Sequence, residues 1–184
     1  MAQNNKSSAM EIECLGKIIS KEVKRHYVSG ELPHEENIYF WFSLNDILVE
    51  FLKEKTKIKY HPANSMELSK AEWQMLFNVT EISHLLYQLS NPACETNYVK
   101  LPEKFIISNP KEEKEKINGN GLLSAEYYNK TRLFLSHPII LSNKKYALIA
   151  YSVGIINSTQ GGIHLYKKIN GKWFFYKRLK GWIS

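Results

Sequence analysis

The chain reads as an α+β domain in which N-terminal helices pack on a C-terminal antiparallel β-sheet. Three observations predict this. Apolar residues recur at helical spacing in the first half of the chain. From Phe105 onward, short runs rich in Ile, Leu, Phe and Tyr alternate with Gly, Pro and Asn punctuation. Helices come first and strands follow, with no internal repeat or linker, which fits one domain over 1–184 behind a polar leader, 1–8.

The first helix starts at Ser8, with Glu11 at capping-box spacing. Ile12, Leu15, Ile19 and Val23 give it one buried stripe, and Gly30 and Pro33 end the segment. Ile38-Tyr-Phe-Trp-Phe42 reads as a short buried strand or as the lead-in to the next helix. Ser43 is a candidate cap for a second helix, with Asp46 in the first turn and Leu44, Ile47, Leu48, Phe51 and Leu52 as its core face. Ser69 and Glu72 form another capping box. One helix is expected after it, carrying Trp73, Leu76, Phe77, Val79, Ile82, Leu85, Leu86 and Leu89 and stopped by Asn91-Pro92.

Phe105-Ile-Ile107 is the next strand, followed by the solvated charge run 111–116 and the Gly/Asn punctuation 118–121. Arg132 to Leu135 and Ile139 to Leu141 read as strand, kinked at Pro138. Tyr146 to Val153 is apolar at odd and even positions alike, the pattern of a central strand covered on both sides. Ile163 to Lys168 and Trp173 to Leu179 flank Asn170-Gly171, a strong hairpin signal. A two-residue loop there sets Lys167 opposite Phe174. A three-residue loop with a bulge at Gly171 sets Leu165 opposite Phe175 and Lys167 opposite Trp173. The second separates polar from apolar side chains better, so it is the expected register. It buries Trp173 and Phe175 on one face. The other face carries His164, Tyr166, Lys168, Lys172, Phe174, Tyr176, Arg178 and Lys180.

The net charge of +7 is uneven. Residues 1–100 carry a net −2 and residues 101–184 a net +9, and no acid follows Glu126. Such asymmetry marks a surface for an anionic partner, or a sheet whose outward side chains happen to be lysine. No apolar run approaches the ~20 residues that span a bilayer. No signal peptide is visible, and cytoplasmic and exported settings both fit. Cys14 and Cys94 are two buried thiols or one disulfide, and their spacing matches no metal site.

No catalytic constellation or cofactor motif stands out. Asp46 is the sole aspartate, which argues against aspartate-held metals. The six histidines form no H-x-x-x-H pair. Glu81 and His84 are spaced as a general acid/base couple or as an ordinary helix-surface pair. Basic residues interleaved with aromatics also occur on single-stranded nucleic-acid binders, but here those aromatics must supply core and no RNA-recognition signature is present, which argues against nucleic acid.

At Asn170-Gly-Lys-Trp173 the chain resembles the ending of many small bacterial α+β domains, among them the cone-shaped NTF2-like domains. Pro138, Ile139, Ser142, Lys144 and Tyr146-Ala-Leu148 resemble a pattern in secreted or immunity-type bacterial proteins. The resemblance covers about the last quarter of the chain and carries over no catalytic residue. Two functions are therefore expected. The first is a non-catalytic interaction domain of inhibitor or immunity type, holding an acidic protein partner through His164, Tyr166, Lys168, Lys172, Tyr176, Arg178 and Lys180. The second is a pocketed small-molecule binder or enzyme with His84 or His164 as acid/base.

Overall fold

The computed structural model describes residues 16–26, 28–32, 38–61, 66–91, 105–107, 129–155 and 158–183. The expected Ser8 cap, both cysteines, the charge run 111–116 and the segment 118–121 lie outside them. Among the described residues are four helices: α1 (16–26), α2 (Asn45–Lys57), α3 (Lys70–Phe77) and α4 (Val79–Ser90). The strands are β1 (Ile38–Phe42), β2 (Phe105–Ile107), β3 (Arg132–Leu135), β4 (Ile139–Ile140), β5 (Tyr146–Ile155), β6 (Ser158–Ile169) and β7 (Lys172–Ile183).

The strands form one sheet in the order β2-β1-β3-β5-β6-β7, with β4 also paired to β5. Strands β3 to β7 pair antiparallel, as expected, while β1 adds parallel pairings to β2 and β3. No helix among the described residues is long and apolar enough to cross a membrane.

Both faces of this sheet are covered. On one, α1 lays Ile18, Ile19 and Val23 against Phe40, Leu133, Ile149, Tyr151, Tyr166 and Trp173. On the other, α2, α3 and α4 contribute Leu48, Phe51, Leu76 and Leu85 against Leu148, Ala150, Ile163, Leu165 and Leu179. Strand β5 therefore sends Ala147, Ile149, Tyr151 and Val153 one way and Tyr146, Leu148 and Ala150 the other. Its unbroken apolar run is the direct result. Each large apolar side chain buried here contributes about 1.5–3 kcal/mol.

Strands β3 and β4 are separate because Pro138 lacks the N–H that a continuous ladder needs. Ser136 bridges the gap: its N–H donates to the Ala150 carbonyl at 2.9 Å, and its hydroxyl accepts from the Ala150 N–H at 2.8 Å. The His137 N–H then donates to Asn45 Oδ1 at 2.9 Å, which fixes the start of α2 to the break.

Three expectations change. Ser43 does not cap α2; Leu44 holds that position without a side-chain hydrogen bond. The reason is that Ser43 is still tied to the sheet, with its N–H on the Leu135 carbonyl at 3.0 Å. The long third helix is two helices. The Ser69/Glu72 capping box opens α3, but Asn78 then leaves helical geometry at φ −73°, ψ 155°. Its amide group donates to the Gln74 and Met75 carbonyls, and its Oδ1 accepts from the Glu81 N–H at 2.8 Å. One side chain thus closes α3 and caps α4.

The hairpin has the two-residue loop. Ile169 faces Lys172, and Asn170 and Gly171 adopt φ 47° and 77°, as a type I′ turn requires. Two register shifts follow: Phe175 faces Tyr166 but Lys177 faces Leu165, and Arg178 faces His164 but Lys180 faces Ile163. Tyr176 and Leu179 are thus the extra residues on β7. Segregation of side chains was a poor guide because it assumed one buried face. With both faces buried, Trp173 packs under α1 and Leu179 on the opposite side, while Phe175 stays 40% exposed.

Candidate functional site

The residues expected to form one outward face of the hairpin are distributed over both sides of β7 and β6. His164 and Tyr166 do not face outward. The α1 helix covers them, and both are buried. Tyr176, Lys177 and Lys180 turn toward α2 and α3 after the bulges. The Tyr176 hydroxyl donates to Glu72 Oε1 at 2.5 Å, and that hydrogen bond pushes its pKa up to about 12. Lys177 lies 3.9 Å from Glu72, and Lys180 lies 3.3 Å from Glu54. These three are already engaged with carboxylates of the protein itself.

What remains together at the surface is a strip along the seam between β7 and α1. Lys172 is exposed at the turn, and Lys168 lies half-buried with its Nζ 5.6 Å from the Trp173 ring. Phe174 and Phe175, adjacent in sequence, are 45% and 40% exposed. The α1 helix supplies cations to both rings: Lys21 Nζ lies 5.9 Å from Phe174, and the Arg25 guanidinium lies 4.4 Å from Phe175. Arg178 is exposed and donates to the Gly161 carbonyl at 2.7 Å. Its guanidinium lies flat because Gly162 and Gly181 have no side chain there; a Cβ at either would come within 2.9 Å of it.

Behind the strip is a polar cluster that the sequence reading did not assemble. The Glu22 carboxylate, fully buried in α1, accepts the Tyr166 hydroxyl at 2.6 Å and His164 Nδ1 at 2.8 Å. His26 Nε2 lies 2.7 Å from the same carboxylate, and its Nδ1 contacts Glu31. Arg25 Nη2 lies 3.4 Å from His164 Nε2. Burial holds the His164 pKa below its ordinary value, against the pull of Glu22, so the ring is neutral near pH 7. A neutral ring that donates from Nδ1 accepts at Nε2, which suits the Arg25 contact. Burial, followed by the Glu22 charge, raises the Tyr166 hydroxyl. Enclosed together, these groups anchor α1 and position Arg25.

A signal for the cluster was present. Glu22 and His26 fall in phase with Ile19 and Val23, on the stripe of α1 that faces the sheet. A glutamate and a histidine on a buried stripe require partners from another element. The sequence does not reveal that those partners lie on β6.

The other acid/base candidate does not assemble. Glu81 turns inward to the β4–β5 turn, where it accepts the Ser142 N–H at 2.8 Å and contacts the Ser142 hydroxyl. His84 is exposed and pairs with Gln88 at 2.9 Å. Among the described residues, no group of three His, Cys, Asp or Glu side chains is placed to hold a metal ion. No protein-family model, curated protein or solved structure gives a significant match to this chain.

Proposed function

We propose that this protein is a non-catalytic interaction domain, of the inhibitor or immunity type, that holds an acidic protein partner along the seam between β7 and α1. The observation that carries this reading is the pair of neighbouring exposed phenylalanines, Phe174 and Phe175, each set under a cation of α1. Aromatic side chains, phenylalanine among them, and arginine are enriched at protein interfaces. The charge on the two strands has one sign: β6 and β7 contain no acid, and the nearby Glu22 is enclosed. Lys21, Lys168, Lys172 and Arg178 would speed encounter with an acidic surface, and salt should slow it.

The test is a pull-down from the native source with wild type and a Phe174→Ala, Arg178→Ala double variant. Loss of one acidic partner by the variant is the expected result. Retention of that partner at equal affinity removes this seam as the site. Turnover of a small molecule that depends on His84 or His164 would make the chain an enzyme instead.

A further inference from the structure

We infer that the partner is taken up by strand addition: an extended segment with Asp or Glu at alternate positions pairs with the outer edge of β7. The inference rests on the reading of the seam as a binding surface and specifies how that surface works. Strand β7 ends the sheet, and among the described residues its ladder neighbour is β6 alone. Its outer backbone groups form a ready template for another strand. The run Lys172 to Phe175 is regular from the turn to the first bulge, and there an added strand can keep register.

Charge decides which strand fits. Chains commonly protect an edge with lysines and bulges, and β7 has both. A second copy of this chain would set Lys172, Lys177, Arg178 and Lys180 against the same residues, because the strand contains no acid in any register. Like charges directly opposite are destabilising. The same row attracts a strand that carries carboxylates, so the edge rejects itself and selects an acidic segment. Side chains of the added strand alternate between the two faces of the sheet. On the α1 side they meet Arg25 and Arg178. On the α2 side Lys177 and Lys180 are already paired with Glu72 and Glu54. Acidic residues at every second position of the partner match that asymmetry. Phe174 and Phe175 shield the new backbone hydrogen bonds from water.

The experiment titrates full-length protein with two labelled peptides, followed by fluorescence anisotropy. One alternates glutamate and threonine. The other has the same charge and carries a Pro-Pro pair at its centre, which removes backbone donors from both edges. Strand addition predicts that the alternating peptide binds, and that the Pro-Pro peptide binds roughly tenfold more weakly, the upper cost of the one backbone hydrogen bond lost from the bound edge. Equal binding of both overturns strand addition and leaves an acidic-partner surface standing. Failure of both to bind overturns strand addition and the proposed surface together. A Lys172→Glu variant with an unchanged circular dichroism spectrum should weaken the alternating peptide; unchanged binding there also counts against the edge.

Discussion

Replacing Glu22 by glutamine tests what holds α1 to the sheet. The substitution keeps the volume and removes the charge. In the native protein the carboxylate accepts Tyr166 at 2.6 Å and His164 at 2.8 Å, with His26 at 2.7 Å. Hydrogen bonds to an ionised group contribute about 1.5–3 kcal/mol each, against about 0.5–1.5 for neutral ones. Glutamine offers one acceptor oxygen, and its amide donors must face a ring N–H or a hydroxyl. The neutral amide is easier to bury, which returns part of the loss. The net destabilisation at pH 7 is expected to be about 2–4 kcal/mol. Burial alone would raise the Glu22 pKa, but hydrogen bonds and charge from His164 and His26 outweigh it and hold the group well below its ordinary 4.5. A lowered carboxylate pKa means that its stabilisation is complete above pH 4.5 and is lost as the pH falls below it. His164 adds an earlier loss. Its folded pKa lies below the ordinary 6.5, so the unfolded chain takes up that proton first and stability declines from about pH 6.5 downward. Urea melts at pH 7, 5.5 and 4 measure both. In the Gln variant the step below pH 4.5 should shrink while the decline from His164 remains. A loss under about 1 kcal/mol at pH 7, with the acid step intact, would refute the reasoning.

Two further outcomes are expected. Trp173→Ala should cost about 3–5 kcal/mol in a urea melt, because the ring is buried beside the turn; a loss under about 1 kcal/mol would place it at the surface. Asn78→Ala should cost about 1–2 kcal/mol and speed amide exchange at the start of α4, because one side chain satisfies backbone groups of two helices; unchanged exchange would mean that the break between them is set elsewhere.

The parts legible in the sequence were those decided locally. Ser69 and Glu72 mark a helix start through their own chemistry, and β5 shows its double burial in eight consecutive apolar or small side chains. The α2 stripe of Leu48, Phe51 and Leu52 is read from its period alone. Legibility failed where a second element decides. Asn78 in a helical pattern looks like an ordinary polar residue until its amide is seen closing one helix and opening another. The faces of β7 depend on two bulges, and a bulge leaves no mark in a strand with apolar side chains on both sides. For the candidate site, Lys172 and Arg178 were found because they are consecutive with the hairpin. Lys21, Arg25 and Glu22 were missed because they reach it from the far end of the sequence.

That last distance bears on how the chain is made. Glu22 and His164 are 142 positions apart. Synthesis adds about 5–20 residues per second, so roughly ten seconds pass between the two. Throughout that interval α1 has a glutamate on its apolar stripe and neither His164 nor Tyr166 to receive it. An apolar helix without the charge would be free to bury itself against the first hydrophobic surface to emerge. Glu22 makes each such wrong burial costly, because an unpaired carboxylate has to be desolvated, until His164 and Tyr166 arrive. The expected outcome is that this charge keeps α1 in solution until β6 exists. Protease sensitivity of α1 on nascent chains that stop before His164, lost once β6 and β7 have emerged, is the corresponding measurement. Early protection would show that α1 docks without waiting.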